Sequence, residues 1–268
     1  MKRIKFIILI YLITLYLVVL TGCNKSRDTA SGPAMPPSTS IDMEGLTSFS
    51  AKQKSAPVQN DSSYFIMACN HIQVWDSIVN DAIRVPKQLF IEGLSGKDAV
   101  YDDVNQQWSW TYIKSIIGEG KFEAVISCKE MDDSLYWTMT VSSVNNAELY
   151  NYKWLEGKTD SKQTGGWWVL YYPNNSTNNI LINWSKESEI IKWIKYTSAS
   201  LECCNNCNSI LYGTKDTIGY NAYFEISMEK ITDCAKIEWN KTTFAGRLIY
   251  NGITYSWDSN MNNACVSE

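Results

Sequence analysis

From Gly96 onward, apolar and polar residues alternate with period two, and turn-forming residues recur every 8 to 15 positions. That is the pattern of half-buried strands joined by short connections. It predicts strands near 107–114, 120–128, 134–143, 149–156, 166–172, 179–184, 189–196, 219–228, 234–240, 244–250 and 253–257. Asn251-Gly252 is the strongest hairpin signal, because Asn-Gly enters a type I′ turn at little cost. No helix-length apolar repeat intervenes, so parallel crossovers are excluded and the sheet is expected to be antiparallel. The predicted class is mainly β: a meander of about eleven strands that curls into a barrel or half-barrel, since closure removes exposed edges.

Before the strands, Ala68, Ile72, Trp75, Val79 and Ala82 recur at spacings of three and four, which predicts one amphipathic helix over 64–84. Asp61-Ser62-Ser63 offers N-cap residues, and Pro86 is expected to end the helix or bend it. Residues 24–62 change character to Ser, Thr, Pro, Lys and Asn and hold four of the six prolines. Such a composition buries too little apolar surface to order itself and predicts a disordered tether. The expected organisation is therefore residues 1–22 as a leader, 23–62 as tether, and 63–268 as one β-rich domain carrying an N-terminal helix.

The leader has a basic start, Met1-Lys-Arg-Ile-Lys5, then an apolar stretch from Phe6 to Leu20. A helix of that length rises about 22 Å, short of the roughly 30 Å hydrocarbon core, so a cleaved signal fits better than an uncleaved span. Leu20-Thr21-Gly22-Cys23 resembles the lipobox of bacterial lipoproteins. The resemblance covers only these first 23 residues. It implies cleavage before Cys23, a diacylglycerol thioether on its sulfur, and an acyl chain such as palmitate on the new amine. Two or three acyl chains suffice for stable anchoring. Asn at position 24, by the retention rule of enterobacterial lipoproteins, permits passage to the outer membrane. The expected location is thus the bacterial cell envelope, lipid-anchored, on the periplasmic or the outer surface.

Charge sharpens the picture. Residues 1–22 contain three of the 24 basic residues and no acid, so the rest carries 21 bases against 28 acids, a net charge of −7. Nucleic-acid partners are disfavoured, because neutralising a phosphate backbone needs a basic face. The membrane, reached through the lipid, is the expected partner. Eleven Trp and 16 Tyr stand against seven Phe. Trp108, Trp110, Tyr152, Trp154 and Trp168 are the candidate ligand-binding residues, set on strand faces to line a cavity or to stack on sugar rings. Cross-strand aromatic pairing is the competing structural explanation.

Seven cysteines remain beside Cys23, and in an oxidising compartment Cys203, Cys204, Cys207, Cys234 and Cys265 are disulfide candidates. A zinc site from Cys204, Cys207, Cys234 and Cys265 lacks a second close pair, and a redox Cys-x-x-Cys lacks a βαβ setting. No metal, cofactor or catalytic residue is expected: the single histidine, His71, comes with no nucleophile elbow, and adjacent carboxylates such as Asp132-Asp133 point apart on extended chain.

The expected function is non-enzymatic: an anchored β-barrel holding an apolar or lipid-like ligand. At the level of architecture it is similar to the lipocalins and the periplasmic lipoprotein-carrier proteins, without a shared signature motif. Two alternatives remain open on sequence: a surface glycan-binding or protein-interaction module with exposed Trp and Tyr, and a structural envelope protein with no small ligand.

Overall fold

In the computed structural model, residues 32–55, 62–96, 98–173, 175–198, 207–228 and 234–264 are described. The leader, with Cys23, lies outside them. Fourteen strands form a single antiparallel sheet in strict chain order: β1 (Val100–Asp102), β2 (Gln107–Ile116), β3 (Gly120–Met131), β4 (Ser134–Ser143), β5 (Tyr152–Asp160), β6 (Gly165–Tyr172), β7 (Asn175–Glu187), β8 (Ile190–Ser198), β9 (Cys207–Thr214), β10 (Ala222–Met228), β11 (Ala235–Trp239), β12 (Gly246–Tyr250), β13 (Ile253–Trp257) and β14 (Asn263–Ala264). The antiparallel meander is as predicted. The barrel is not: β1 pairs with β2 and β14 with β13, and the sheet does not close on itself. Among the described residues its edge strands, β1 and β14, are three and two residues long.

The strand count exceeds eleven because β1, β9 and β14 are added. β9 begins at Cys207 in a stretch where no strand is predicted, yet it pairs with both β8 and β10. Its Ile210 and Tyr212 are buried while Leu211 is not, too brief an alternation to stand out beside the cysteine cluster.

One face of the sheet is covered by helices, and among the described residues there are three rather than one: α1 (Glu44–Ser55), α2 (Ser63–Ile78) and α3 (Arg84–Gly96). A π-helical turn, Val79–Ile83, joins α2 to α3. Pro86 therefore does not stop the helix. It lies just after the π turn within one continuous helical run, and the wider turn accommodates the proline ring and its missing N–H.

The larger correction concerns the tether. Residues 38–41 form a 3-10 turn and 44–55 form α1. Ile41, Met43, Leu46 and Phe49 are all at most 1% exposed. Trp168 Nε1 donates to Ser40 Oγ at 3.2 Å, and Tyr196 Oη donates to the Ile41 carbonyl at 3.1 Å. The segment is thus part of the core: its few large apolar side chains are held by the sheet's aromatics, and average composition hides them. The compact unit that contains the sheet begins at Gly32.

Inner-face residues alternate with outer ones, as along β4, where Leu135, Trp137, Met139 and Val141 are buried and their neighbours are not. Connections alternate between two ends of the strands. Residues 103–106, 132–133, 161–164, 188–189, 215–221, 240–245 and 258–262 lie at one end; 117–119, 144–151 and 251–252 lie at the other. The chain enters at the first end: a Cβ on Gly32 would lie 3.3 Å from the Trp110 ring, and Gln163 Nε2 donates to the Ala34 carbonyl at 3.1 Å.

Candidate functional site

The connection between β4 and β5 contains a 3-10 turn, Ala147–Leu149, whose cap Asn146 accepts from the Glu148 amide at 3.0 Å. The turn folds Leu149 into buried surroundings. β5 then carries one residue too many. Leu155 pairs with Met139 and Lys153 with Thr140, so Trp154 has no partner and forms a bulge. A bulge breaks strict alternation and re-aims its side chain, and Trp154 and Leu155 are both buried.

This bulge borders a cleft of about 300 Å³. Val85, Phe122, Leu149, Trp154 and Leu170 give it an apolar wall, with Ala82, Tyr171, Tyr172 and Pro173 beside them. Its polar wall groups are Glu119, Ser143 and Asn146. The helical side comes from the π turn and the start of α3, the sheet side from β3 to β6. The connections that border it carry three exposed apolar side chains, Ile117, Val144 and Tyr150.

Electrostatics hold the wall in place. Arg84 donates to the Glu119 carboxylate. Tyr171 points its hydroxyl to the outer face of the sheet, where it donates to Glu156; Tyr136 and Lys153 donate to the same carboxylate, each at 2.7 Å. Burial, then the hydrogen bond to Glu156, pushes the Tyr136 and Tyr171 hydroxyls up to about 12. Burial alone would raise the Glu156 carboxyl, but the three donors outweigh it and lower it. Tyr171 therefore remains a neutral donor to Glu156 at physiological pH.

The cleft collects only part of the predicted set. Trp154 lines it, and Tyr152 stands beside Trp154 with ring centroids 6.5 Å apart. Trp108, Trp110 and Trp168 pack against protein elsewhere: Trp108 on Tyr101 at 4.9 Å, Trp110 stacked on Trp137 at 5.8 Å, Trp168 edge-on to Phe90 at 5.1 Å. Side chains fill the space expected for a ligand there. Phe122, Leu149, Val85 and Glu119 were not legible as site residues, because the π turn and the β4–β5 connection bring them together.

On the outer face, two tyrosine rings carry a lysine over one side. Lys153 lies 4.7 Å from the Tyr171 ring centre, and Lys215 lies 4.8 Å from that of Tyr223. A depression of about 560 Å³ at the opposite end of the strands is lined by Glu187, Lys192, Lys215 and Asp216 among others, with Ile190 as its one large apolar side chain.

Of the disulfide candidates, Cys234 is a free, exposed thiol with its sulfur 3.7 Å from Ser227 Oγ, contrary to the pairing expected of it. Cys203, Cys204 and Cys265, and the side chain of Cys207, lie outside the described residues. Cys69 and Cys128 are buried and free, and burial pushes both thiols up to about 12. Among the described residues, no group of three His, Cys, Asp or Glu side chains is placed to hold a metal ion. No protein-family model, curated protein sequence or solved structure matches the chain at a significant level.

Proposed function

We propose that the chain is a lipid-anchored lipoprotein of the bacterial envelope whose β domain holds an apolar, lipid-like ligand without transforming it. The observation that supports ligand binding is the apolar-walled cleft beside the Trp154 bulge. It combines an aromatic and aliphatic wall with a few polar groups, the usual make-up of a small-molecule site. Its titratable wall groups are Glu119 and two tyrosines. Glu119 is engaged with Arg84, so no nucleophile and base are set against each other there. The anchor rests on Leu20-Thr21-Gly22-Cys23, which supports a location outside the cytoplasm.

Intact-mass measurement on the chain extracted from membranes tests both halves. The expected result is a polypeptide beginning at Cys23 with the added mass of two or three acyl chains. Under gentle ionisation, a further mass that leaves on denaturation and extracts into organic solvent identifies the ligand class. A polypeptide that still begins at Met1 overturns the anchor, and a spectrum with no extra non-covalent mass overturns the ligand.

A further inference from the structure

The cleft's size and wall chemistry narrow what fits it. About 300 Å³ is the lower bound of the roughly 300–1,000 Å³ seen for ligand sites, enough for one slender chain and too little for a two-tailed phospholipid. The charge at the rim is negative or neutralised. Glu119 is part of the wall and already has its cation in Arg84, while Glu148 adds a second carboxylate on the adjoining 3-10 turn. Glu156, just behind Tyr171, is likewise matched by Lys153.

The remaining polar groups suit a head that both donates and accepts. Ser143 Oγ accepts from the Asn145 amide at 3.3 Å, and its hydroxyl hydrogen remains to be donated. Asn146 uses Oδ1 for the Glu148 amide and keeps its NH₂ as a donor. Arg84 takes one Glu119 oxygen, Oε1, so Oε2 is the natural acceptor.

We propose that the cleft selects a neutral, single-chain amphiphile, an alcohol, amide or monoacylglycerol in chemical class, and rejects the corresponding carboxylate. The chain lies against Phe122, Leu149, Trp154 and Leu170, and the head sits among Glu119, Ser143 and Asn146. A carboxylate head would bring a second negative charge next to Glu119, whose cation Arg84 is already engaged, while Lys121 sits on the exposed side of β3 away from the wall; the like-charge contact costs binding. This inference rests on the ligand-binding reading of the cleft.

The test is photo-crosslinking of the full chain in its membrane, with dodecanol and dodecanoate that carry the same alkyl diazirine, at mildly alkaline pH. Crosslinks are mapped by peptide mass. The alcohol is expected to mark the Phe122 and Leu149–Trp154 peptides about tenfold more than the carboxylate, the scale of one like-charge contact in a partly exposed site. Glu119→Gln removes the repulsion and leaves Arg84 available, so the carboxylate should then equal or exceed the alcohol. Leu149→Trp fills the cleft and should abolish both signals. Equal marking by both probes in the unmodified chain overturns the selectivity and leaves the cleft as a ligand site. No cleft crosslinks with either probe overturns the ligand-binding reading itself.

Discussion

Gly93 lies where α3 crosses β2 and β3, and its missing side chain lets the helix touch the sheet. A Cβ there would fall 2.4 Å from Tyr112 Cε1 and 2.5 Å from Ile126 Cδ1. Tyr112 cannot easily step aside, because it is buried and its hydroxyl donates to the Leu89 carbonyl of the same helix. Gly157 plays the same part within the sheet, under Trp168, where a Cβ would also meet the Trp167 carbonyl at 2.3 Å. Gly93→Ala should therefore destabilise the fold by about 1–3 kcal/mol, the usual cost of overpacking. Gly219→Ala, with nothing within 4 Å of the new methyl, is the matched control and should change little. Urea unfolding of the two variants reads the difference directly; equal midpoints would mean that the α3–sheet contact yields without strain.

Within β11, Glu238 faces outward yet is only 5% exposed. Lys215 donates to it at 2.8 Å, Arg247 through Nε at 2.9 Å and Nη2 at 2.6 Å, and Lys236 stands 3.4 Å away. Burial would raise its pKa, but these hydrogen bonds and charges lower it from 4.5 to about 2. A folded-state pKa below the unfolded one gives stability that is full above the unfolded value and fades as pH falls towards the folded one. The pairing of β11 with β12, and with the connection that follows β9, should thus weaken from pH 4.5 down to about 2. Glu238→Gln is expected to be less stable near neutral pH and to show a flatter acid limb in chemical denaturation. An acid limb identical to that of the unmodified chain would remove Glu238 from the account.

The strands themselves were largely legible, because a half-buried antiparallel strand prints its alternation on the sequence. β9 was not, nor was the Trp154 bulge. A bulge shifts register by one residue without changing composition, and the site depends on that shift.

At the scale of the whole folded unit, what could not be read was how the sheet's inner face is covered. Closure and helix packing both bury an apolar face, and alternation alone does not distinguish them. Phe49 shows which solution the chain takes: its ring lies 5.3 Å from Phe65, 6.0 Å from Phe224, 5.1 Å from Trp239 and 6.5 Å from Trp257. Removing this hub leaves a cavity that four rings cannot all close. Phe49→Ala should cost about 3–5 kcal/mol, measured by the urea midpoint at constant m-value. A loss under about 0.5 kcal/mol, typical of surface sites, would restore the reading of this segment as a tether.

Gly32 and Ala34 meet the sheet beside Trp110 and Gln163, while the cleft opens between the connections at the other end of the strands. The ten residues of β2, at about 3.3 Å each, put roughly 30 Å between those ends. A disturbance at Gly32 or Ala34 is therefore felt by the first end of β2 and the β5–β6 turn, and leaves the mouth of the cleft untouched. Entry point and mouth are separable parts: the contacts of Gly32 and Ala34 can be altered without reshaping the cleft.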